Sequence, residues 1–64
     1  MEKKLTPQKI TRLWEKMGSR AALAVRLGGI SEMTVRKWEN GSIDVNNSGY
    51  RFELARLLFE HGIS

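Results

Sequence analysis

The sequence predicts one compact all-α domain of four short helices that spans residues 1–64. Three observations favour this fold class. Apolar residues recur at intervals of three and four in four separate segments, which is the spacing of one buried helix face. Helix-capping residues or glycines stand at most ends of these segments. Only Ile43 and Val45 alternate with polar residues in a way that hints at extended chain. A chain of this length has room for a single small core.

The first helix is predicted over about residues 7–17, behind a short polar arm at residues 1–4 that we expect to be mobile. Thr6 suits the N-cap, and Pro7 suits the first helical position. Leu5 stands just before the cap, where an apolar residue packs against the first turns of the helix. The residues predicted to form its buried face are Ile10, Leu13, Trp14 and Met17.

The second and third helices are predicted over about residues 20–27 and 32–40, joined by a glycine turn. Gly28 and Gly29 end the second helix because glycine accepts the positive φ values of a helix C-terminus. Ser19 suits the N-cap of the second helix, and Ser31 suits the N-cap of the third. Val35 and Trp38 would face inward, and the outer face would carry Glu32, Met33, Arg36, Lys37 and Asn40. This outer stripe is polar except for Met33, and it is long enough to lie in a DNA major groove.

The last helix is predicted over about residues 50–61, with Asn47 or Ser48 as its cap and Gly62 at its end. Its apolar residues cover more than one face. One stripe, Leu54, Leu57 and Leu58, would complete the core, and a second consists of Phe52, Ala55 and Phe59. The second stripe is either a surface for a partner or folded back over the first helix, and the sequence leaves both open.

Charge and composition limit the classes of function that this sequence is expected to have. The formal net charge is +4, and most basic residues lie in the first part of the chain, which suits phosphate binding but also simple solubility. The chain has no cysteine, no apolar run near the length of a membrane span and no apolar leader. His61 is the only histidine, and neither a phosphate-binding glycine loop nor a metal-ligand spacing is present. We therefore expect no enzyme activity, no metal and no cofactor.

Several short runs in the middle of the chain resemble a known family. They are Leu23-Ala24, Leu27-Gly28, Ile30-Ser31, Thr34-Val35 and Trp38-Glu39-Asn40-Gly41. These runs resemble the helix-turn-helix of the lambda-repressor and Cro type regulators, the XRE-like family. The resemblance covers roughly residues 5–63, and its specific part is Ser-x-x-Thr-Val-x-x-Trp-Glu-x-Gly. The turn holds one residue more than the usual junction, and the sequence stops where many relatives continue into a dimerising helix.

The resemblance implies a lambda-repressor-like fold and sequence-specific binding of double-stranded DNA by a small transcriptional regulator of the Cro or repressor kind. It also implies a protein that is encoded by a bacterium or a phage and acts in the cytoplasm. It places base contacts at Glu32, Met33, Arg36 and Lys37, and DNA-backbone contacts at Arg20, Thr34, Asn40 and Ser42. Arg20 stands where the family often has a phosphate-binding glutamine, and a solvated Arg20 is the alternative. Glu39 is expected to be structural and to pair with a basic residue such as Arg12 or Arg56.

One helix-turn-helix reads about half of a site, so regulators of this kind usually bind as pairs. We therefore expect a weak homodimer, tighter on DNA, through Phe52, Phe59 and Ile63. One alternative is a protein-interaction module, such as the DNA-binding antitoxin half of a toxin–antitoxin pair. Another is a membrane-surface binder, which is disfavoured because no helix joins a basic face to a strong apolar face. No small-molecule ligand and no membrane partner are expected.

Overall fold

The structure, a computed structural model, describes residues 4–63, and this part of the chain forms four α-helices and one short 3-10 turn. The helices are α1 (Pro7–Met17), α2 (Arg20–Arg26), α3 (Glu32–Asn40) and α4 (Arg51–Glu60), and the 3-10 turn spans Val45–Asn47. Residues 4–63 contain no strand, so the all-α prediction is confirmed for this part of the chain. The Cα radius of gyration is 10.4 Å. A compact chain of this length is expected to have a radius of gyration of about 10.7 Å.

The predicted boundaries of α1 and α3 match the structure, whereas α2 and α4 are slightly shorter than predicted. Leu27 is the C-cap of α2 rather than a helical residue, and Tyr50 and His61 flank α4 as its caps. The predicted mobile arm at residues 1–4 lies outside the described residues except for Lys4. The Lys4 side chain is exposed, and its carbonyl accepts a hydrogen bond of 3.3 Å from Lys9 Nζ.

Side-chain caps begin the first three helices as predicted. Thr6 Oγ1 accepts from the backbone N–H of Lys9 at 3.2 Å, and the hydroxyls of Ser19 and Ser31 cap α2 and α3 in the same way. The prediction that Asn47 or Ser48 caps α4 is wrong, because no side chain caps this helix. Ser48 Oγ instead donates to the carbonyl of Val45 at 2.8 Å, which closes the 3-10 turn.

The core lies where α1 meets the other three helices. Trp38 is its largest fully buried side chain, and Trp14 and Met17 pack half-buried against it. The Trp38 ring meets Tyr50 edge to face, with ring centroids 6.0 Å apart. Within residues 4–63 the buried Trp38 Nε1 has no hydrogen-bond partner. The buried core residues are Leu5, Ile10, Leu13, Leu23, Ala24, Leu27, Val35, Trp38, Val45, Leu54, Leu57 and Leu58.

The alternation of Ile43 and Val45 with polar residues suggested an extended segment between α3 and α4. The structure shows that this segment is not extended. Val45 opens the 3-10 turn and is buried, because the turn folds back onto the N-terminal segment. Asn46 makes that contact through both ends of its side-chain amide. Its Oδ1 accepts from the backbone N–H of Leu5 at 2.9 Å, and its Nδ2 donates to the carbonyl of Leu5 at 2.8 Å.

The turn between α2 and α3 depends on two consecutive glycines. Gly28 has φ 97° and Gly29 has φ 86°, a region that residues with a Cβ avoid. The Gly28 N–H donates to Val25 O, and the Gly29 N–H donates to Ala24 O, both at 3.0 Å. These bonds satisfy the last carbonyls of α2 and release the chain toward Ser31.

Candidate nucleic-acid interface

The outer face of α3 is the most polar exposed helix face near the glycine turn. Val35 and Trp38 are buried, so α3 turns the residues between them outward. Met33 is the one apolar member of this face and is 56% exposed. The exposed residues are Glu32, Met33, Arg36, Lys37 and Asn40, and Thr34 is half-buried. All four predicted base-contacting residues therefore lie at the surface of one helix.

The predicted backbone-contacting residues Asn40 and Ser42 meet in the turn that follows α3. Gly41 adopts the left-handed conformation there, with φ 83°. Asn40 Oδ1 accepts from the backbone N–H of Ser42 at 2.9 Å. This bond engages the carboxamide oxygen, so the NH₂ group of Asn40 is the one suited to a phosphate oxygen.

Glu39 links three helices through its carboxylate. Oε1 accepts from Thr11 Oγ1 at 2.7 Å and from Trp14 Nε1 at 3.0 Å, both on α1. Oε2 accepts from Arg20 Nε, at the start of α2, at 2.7 Å. A second Arg20 nitrogen, Nη2, lies 3.4 Å from Oε1. The three donors therefore hold α1 and α2 against α3.

Burial and hydrogen bonding shift the pKa of Glu39 in opposite directions. Burial alone would raise the pKa of the carboxyl group, whose side chain is only 13% exposed. The hydrogen bonds from Arg20, Trp14 and Thr11 outweigh burial and bring the pKa below its ordinary value. The hydrogen bond between Arg20 and Glu39 raises the pKa of Arg20. Glu39 and Arg20 are therefore a charged pair at neutral pH.

The prediction that Glu39 pairs with a basic residue is confirmed, but that residue is Arg20 and neither of the examples Arg12 and Arg56. The Arg20 guanidinium also stacks on Trp14, with Cζ 4.4 Å from the ring centroid. One third of the Arg20 side chain remains exposed. Arg20 is thus held within the fold, rather than solvated, and still reaches the surface.

This pairing sets the charge of the outer face of α3. Glu39 is neutralised by Arg20 and directed toward α1, so its negative charge does not reach the face. Arg36 and Lys37 then stand against the single carboxylate of Glu32. The face carries a net positive charge of the kind that attracts phosphate.

The predicted dimer residues fall on two separate surfaces. Phe52 is 72% exposed and Phe59 85% exposed, so neither folds back over α1. Ala55 lies between them and lines the shallow clefts on both sides. Ile63 is half-buried against the core and borders a different cleft, with Arg12, Glu15 and Lys16. Its N–H donates to Leu58 O at 2.8 Å and completes the predicted helix end at Gly62.

Sequence patterns did not indicate three of the side chains that build this structure. Thr11 and Trp14 donate to Glu39 across 28 and 25 residues, and Asn46 pairs with Leu5 across 41. No local pattern marks Thr11 or Trp14 as a partner of Glu39, because both contacts depend on how α1 packs against α3. No local sequence pattern distinguishes Asn46 from its neighbour Asn47.

Residues 4–63 hold no cluster of three or more side chains that suit a metal ion. Nor does any helix in this range have the length and apolar character needed to cross a bilayer. Comparisons with protein-family models, curated proteins and solved structures found no match to this chain.

Proposed function

We propose that this protein is a sequence-specific binder of duplex DNA, encoded by a bacterium or a phage, and that it acts in the cytoplasm as a small transcriptional regulator of the lambda-repressor and Cro type. The observation that carries the proposal is the outer face of α3, which presents Glu32, Met33, Arg36 and Lys37 together. In this proposal α2, the glycine turn and α3 form a helix-turn-helix, with α3 in the major groove.

Each of these four residues has a chemical role in base recognition. Glu32, in the first turn, accepts a hydrogen bond from cytosine N4, and Met33 packs on a thymine methyl group. Arg36 and Lys37, one turn later, donate to guanine or to phosphate. The mix of one acceptor, one apolar group and two donors supplies sequence preference as well as affinity.

Four further residues would hold the helix against the DNA backbone. Arg20 presents its exposed edge, oriented by Glu39 and Trp14, to a phosphate near the start of α2. Thr34 contacts the backbone from α3, and Asn40 and Ser42 from the turn after it. These contacts position α3 without reading sequence.

Selection of bound duplexes from a random pool, followed by binding measurements on the selected site, tests this proposal. Arg36→Ala or Lys37→Ala should weaken binding by about 1–3 kcal/mol where the side chain contacts a base. Lys16→Ala, at an exposed basic residue of α1, is the matched control and should have a smaller effect. If no duplex is selected, or if the α3 variants bind as the wild type does, the proposal is wrong.

A protein-interaction module, such as the DNA-binding half of an antitoxin, is the second candidate. The exposure of Phe52 and Phe59 supports it, because large apolar side chains seldom stand out from so small a domain. The selection experiment separates the regulator from a module that acts only on proteins, since such a module would select no duplex. The DNA-binding half of an antitoxin would select a duplex as well and would differ by also binding a partner protein.

A further inference from the structure

We infer that α1 carries a second binding surface, which takes the phosphate backbone of a nucleic-acid duplex without regard to its sequence. The surface consists of Lys9, Arg12 and Lys16, which we call the α1 basic stripe. It lies apart from the outer face of α3, so one chain would hold two duplexes at once. Phosphate binding by the stripe stands independently of the proposed function, and only the simultaneous binding of two duplexes rests on it.

The spacing of its residues places the α1 basic stripe on one side of the helix. Lys9, Arg12 and Lys16 are separated by three and four positions, so at about 100° per residue they lie within an arc of roughly 60°. Arg12 and Lys16 are exposed, and Lys9 is half-buried. The three cations extend over about 10 Å of the helix axis, a length that holds about three phosphates of one DNA strand.

The stripe faces away from α3. Thr11 and Trp14 mark the side of α1 that meets α3, because both side chains donate to Glu39. The centre of the stripe lies roughly 160° round α1 from the mean direction of these two side chains. A duplex bound at the outer face of α3 would therefore leave the stripe accessible to another duplex.

The charge of the stripe is not neutralised within the described part of the chain. None of its three cations forms an ion pair with a carboxylate of residues 4–63. Lys9 Nζ donates to the carbonyl of Lys4 at 3.3 Å, which leaves two of its three N–H groups for a ligand. Glu15 is the single carboxylate in the sequence of α1, and it lines the same shallow cleft as Arg12 and Lys16. Three cations against one carboxylate give α1 a larger positive excess than the outer face of α3, where two cations stand against one.

The composition of the stripe favours nucleic acid over a protein or a membrane. The large apolar side chains that are exposed in residues 4–63 all lie outside α1. Protein interfaces are enriched in aromatic residues and depleted of lysine, and a helix on a membrane surface needs an exposed apolar face. The apolar residues Ile10 and Leu13 of α1 are instead buried in the core. Cations without apolar neighbours suit a phosphate backbone, which binds through charge and counterion release.

Sedimentation velocity at two wavelengths tests the inference by counting duplexes per chain. The protein is first saturated with its selected half-site duplex, and a dye-labelled duplex of random sequence is then added at low salt. The wild type should form complexes with two duplexes per chain. The count also separates this result from pairing of two chains, which would keep one duplex per chain.

Three single variants and a matched control assign the second duplex to the stripe. Lys9→Gln, Arg12→Gln and Lys16→Gln should each weaken its binding about five- to tenfold at about 0.1 M salt, because one phosphate contact is lost. Each should also reduce the slope of log K against log salt by about 0.9. Arg56→Gln removes an exposed cation of α4 and should change binding less than about twofold. Glutamine is a good helix former, so α1 should stay folded in the three variants.

Glu15→Gln provides a gain of binding as a further test. The substitution removes the carboxylate beside the stripe and should strengthen binding of the second duplex about two- to threefold. General damage to the fold cannot produce tighter binding. Neither this variant nor the three stripe variants should change binding of the selected duplex by more than about twofold, since their side chains lie away from α3.

Three results would overturn the inference. Complexes that never exceed one duplex per chain would exclude a second surface. An equal loss in Arg56→Gln would mean that net charge, and not the stripe, attracts the second duplex. Polyglutamate or phosphatidylserine vesicles, added in place of the random duplex, would assign the stripe to an acidic protein or a membrane if they bound as tightly and through the same residues.

The outcomes for the stripe and for the proposed function are distinguishable. If no duplex is selected, but a random duplex alone binds the wild type and binds the three stripe variants less tightly, the proposed function fails and the stripe stands. If the selected duplex binds through α3 and no second duplex follows, only the inference about the stripe fails.

Discussion

Glu39 is the residue on which the packing of the first three helices depends most directly. Its carboxylate accepts from Thr11, Trp14 and Arg20, and it lies next to the buried Trp38 on α3. Removing such an acceptor leaves several partly buried donors without a partner, which costs more than the bonds themselves contribute. The role of Glu39 is therefore to hold α3 in place rather than to read DNA.

Replacing Glu39 with glutamine should lower stability by about 1–2 kcal/mol, because the amide NH₂ would face the N–H groups of Arg20. Glu15→Gln, at an exposed position of α1, is the control and should change stability little. Thermal melts followed by circular dichroism measure both. Base preference in the selected site should change less than stability, and a changed preference with an unchanged melt would make Glu39 a reading residue.

The pH dependence of this difference follows from the lowered pKa of Glu39. A carboxyl group whose pKa is lower in the folded state stabilises the fold above its unfolded pKa, here near 4.5. That stabilisation is lost as the pH falls through the folded pKa. The gap in melting temperature between wild type and Glu39→Gln should thus be full at neutral pH and narrow below about pH 4.5. A gap that does not depend on pH would show that the charge of Glu39 is not what stabilises the fold.

The sequence predicted that Glu39 is structural but not its partner. Arg12, Arg20 and Arg56 are equally plausible from sequence, because each lies on a helix whose distance from α3 is a tertiary property. In the structure the partner of Glu39 is Arg20, for which the sequence had predicted a contact with DNA phosphate. Both roles are compatible, since Arg20 donates through Nε and Nη2 to Glu39 and keeps an exposed edge.

At the level of elements, local signals predicted the helices well and the segment between α3 and α4 poorly. Capping residues and glycines act on their own helix, so Thr6, Ser19 and Ser31 could be recognised in the sequence. The 3-10 turn is stabilised by Asn46, whose partner Leu5 lies at the other end of the chain. A contact across 41 residues leaves no periodic trace in the sequence.

Asn46→Ala should therefore destabilise the fold by about 1–3 kcal/mol, since it leaves the N–H and the carbonyl of Leu5 without their partner. Asn47→Ala is the matched control, because Asn47 is exposed in the same turn. Urea unfolding at neutral pH compares the two. Equal effects would mean that the turn, and not its contact with the N-terminal segment, supplies the stability.

At the level of the whole molecule, two surfaces of different chemistry lie on two different helices. The outer face of α3 is polar with a net positive charge, and the outer face of α4 is apolar with a charge at each end. The two large apolar side chains exposed on α4, Phe52 and Phe59, make its outer face a candidate surface for a partner. The proposed function places DNA on the outer face of α3 and leaves the outer face of α4 out of DNA binding.

Backbone NMR of the ¹⁵N-labelled protein, titrated with its selected half-site duplex, tests the central claim most directly. The amide signals of Glu32–Lys37 and of Ser42 should shift most, those of Phe52–Phe59 should stay in place, and added salt should reverse the shifts. Shifts concentrated in α4, or none in α3 on saturation with duplex, would contradict the claim that the outer face of α3 binds DNA.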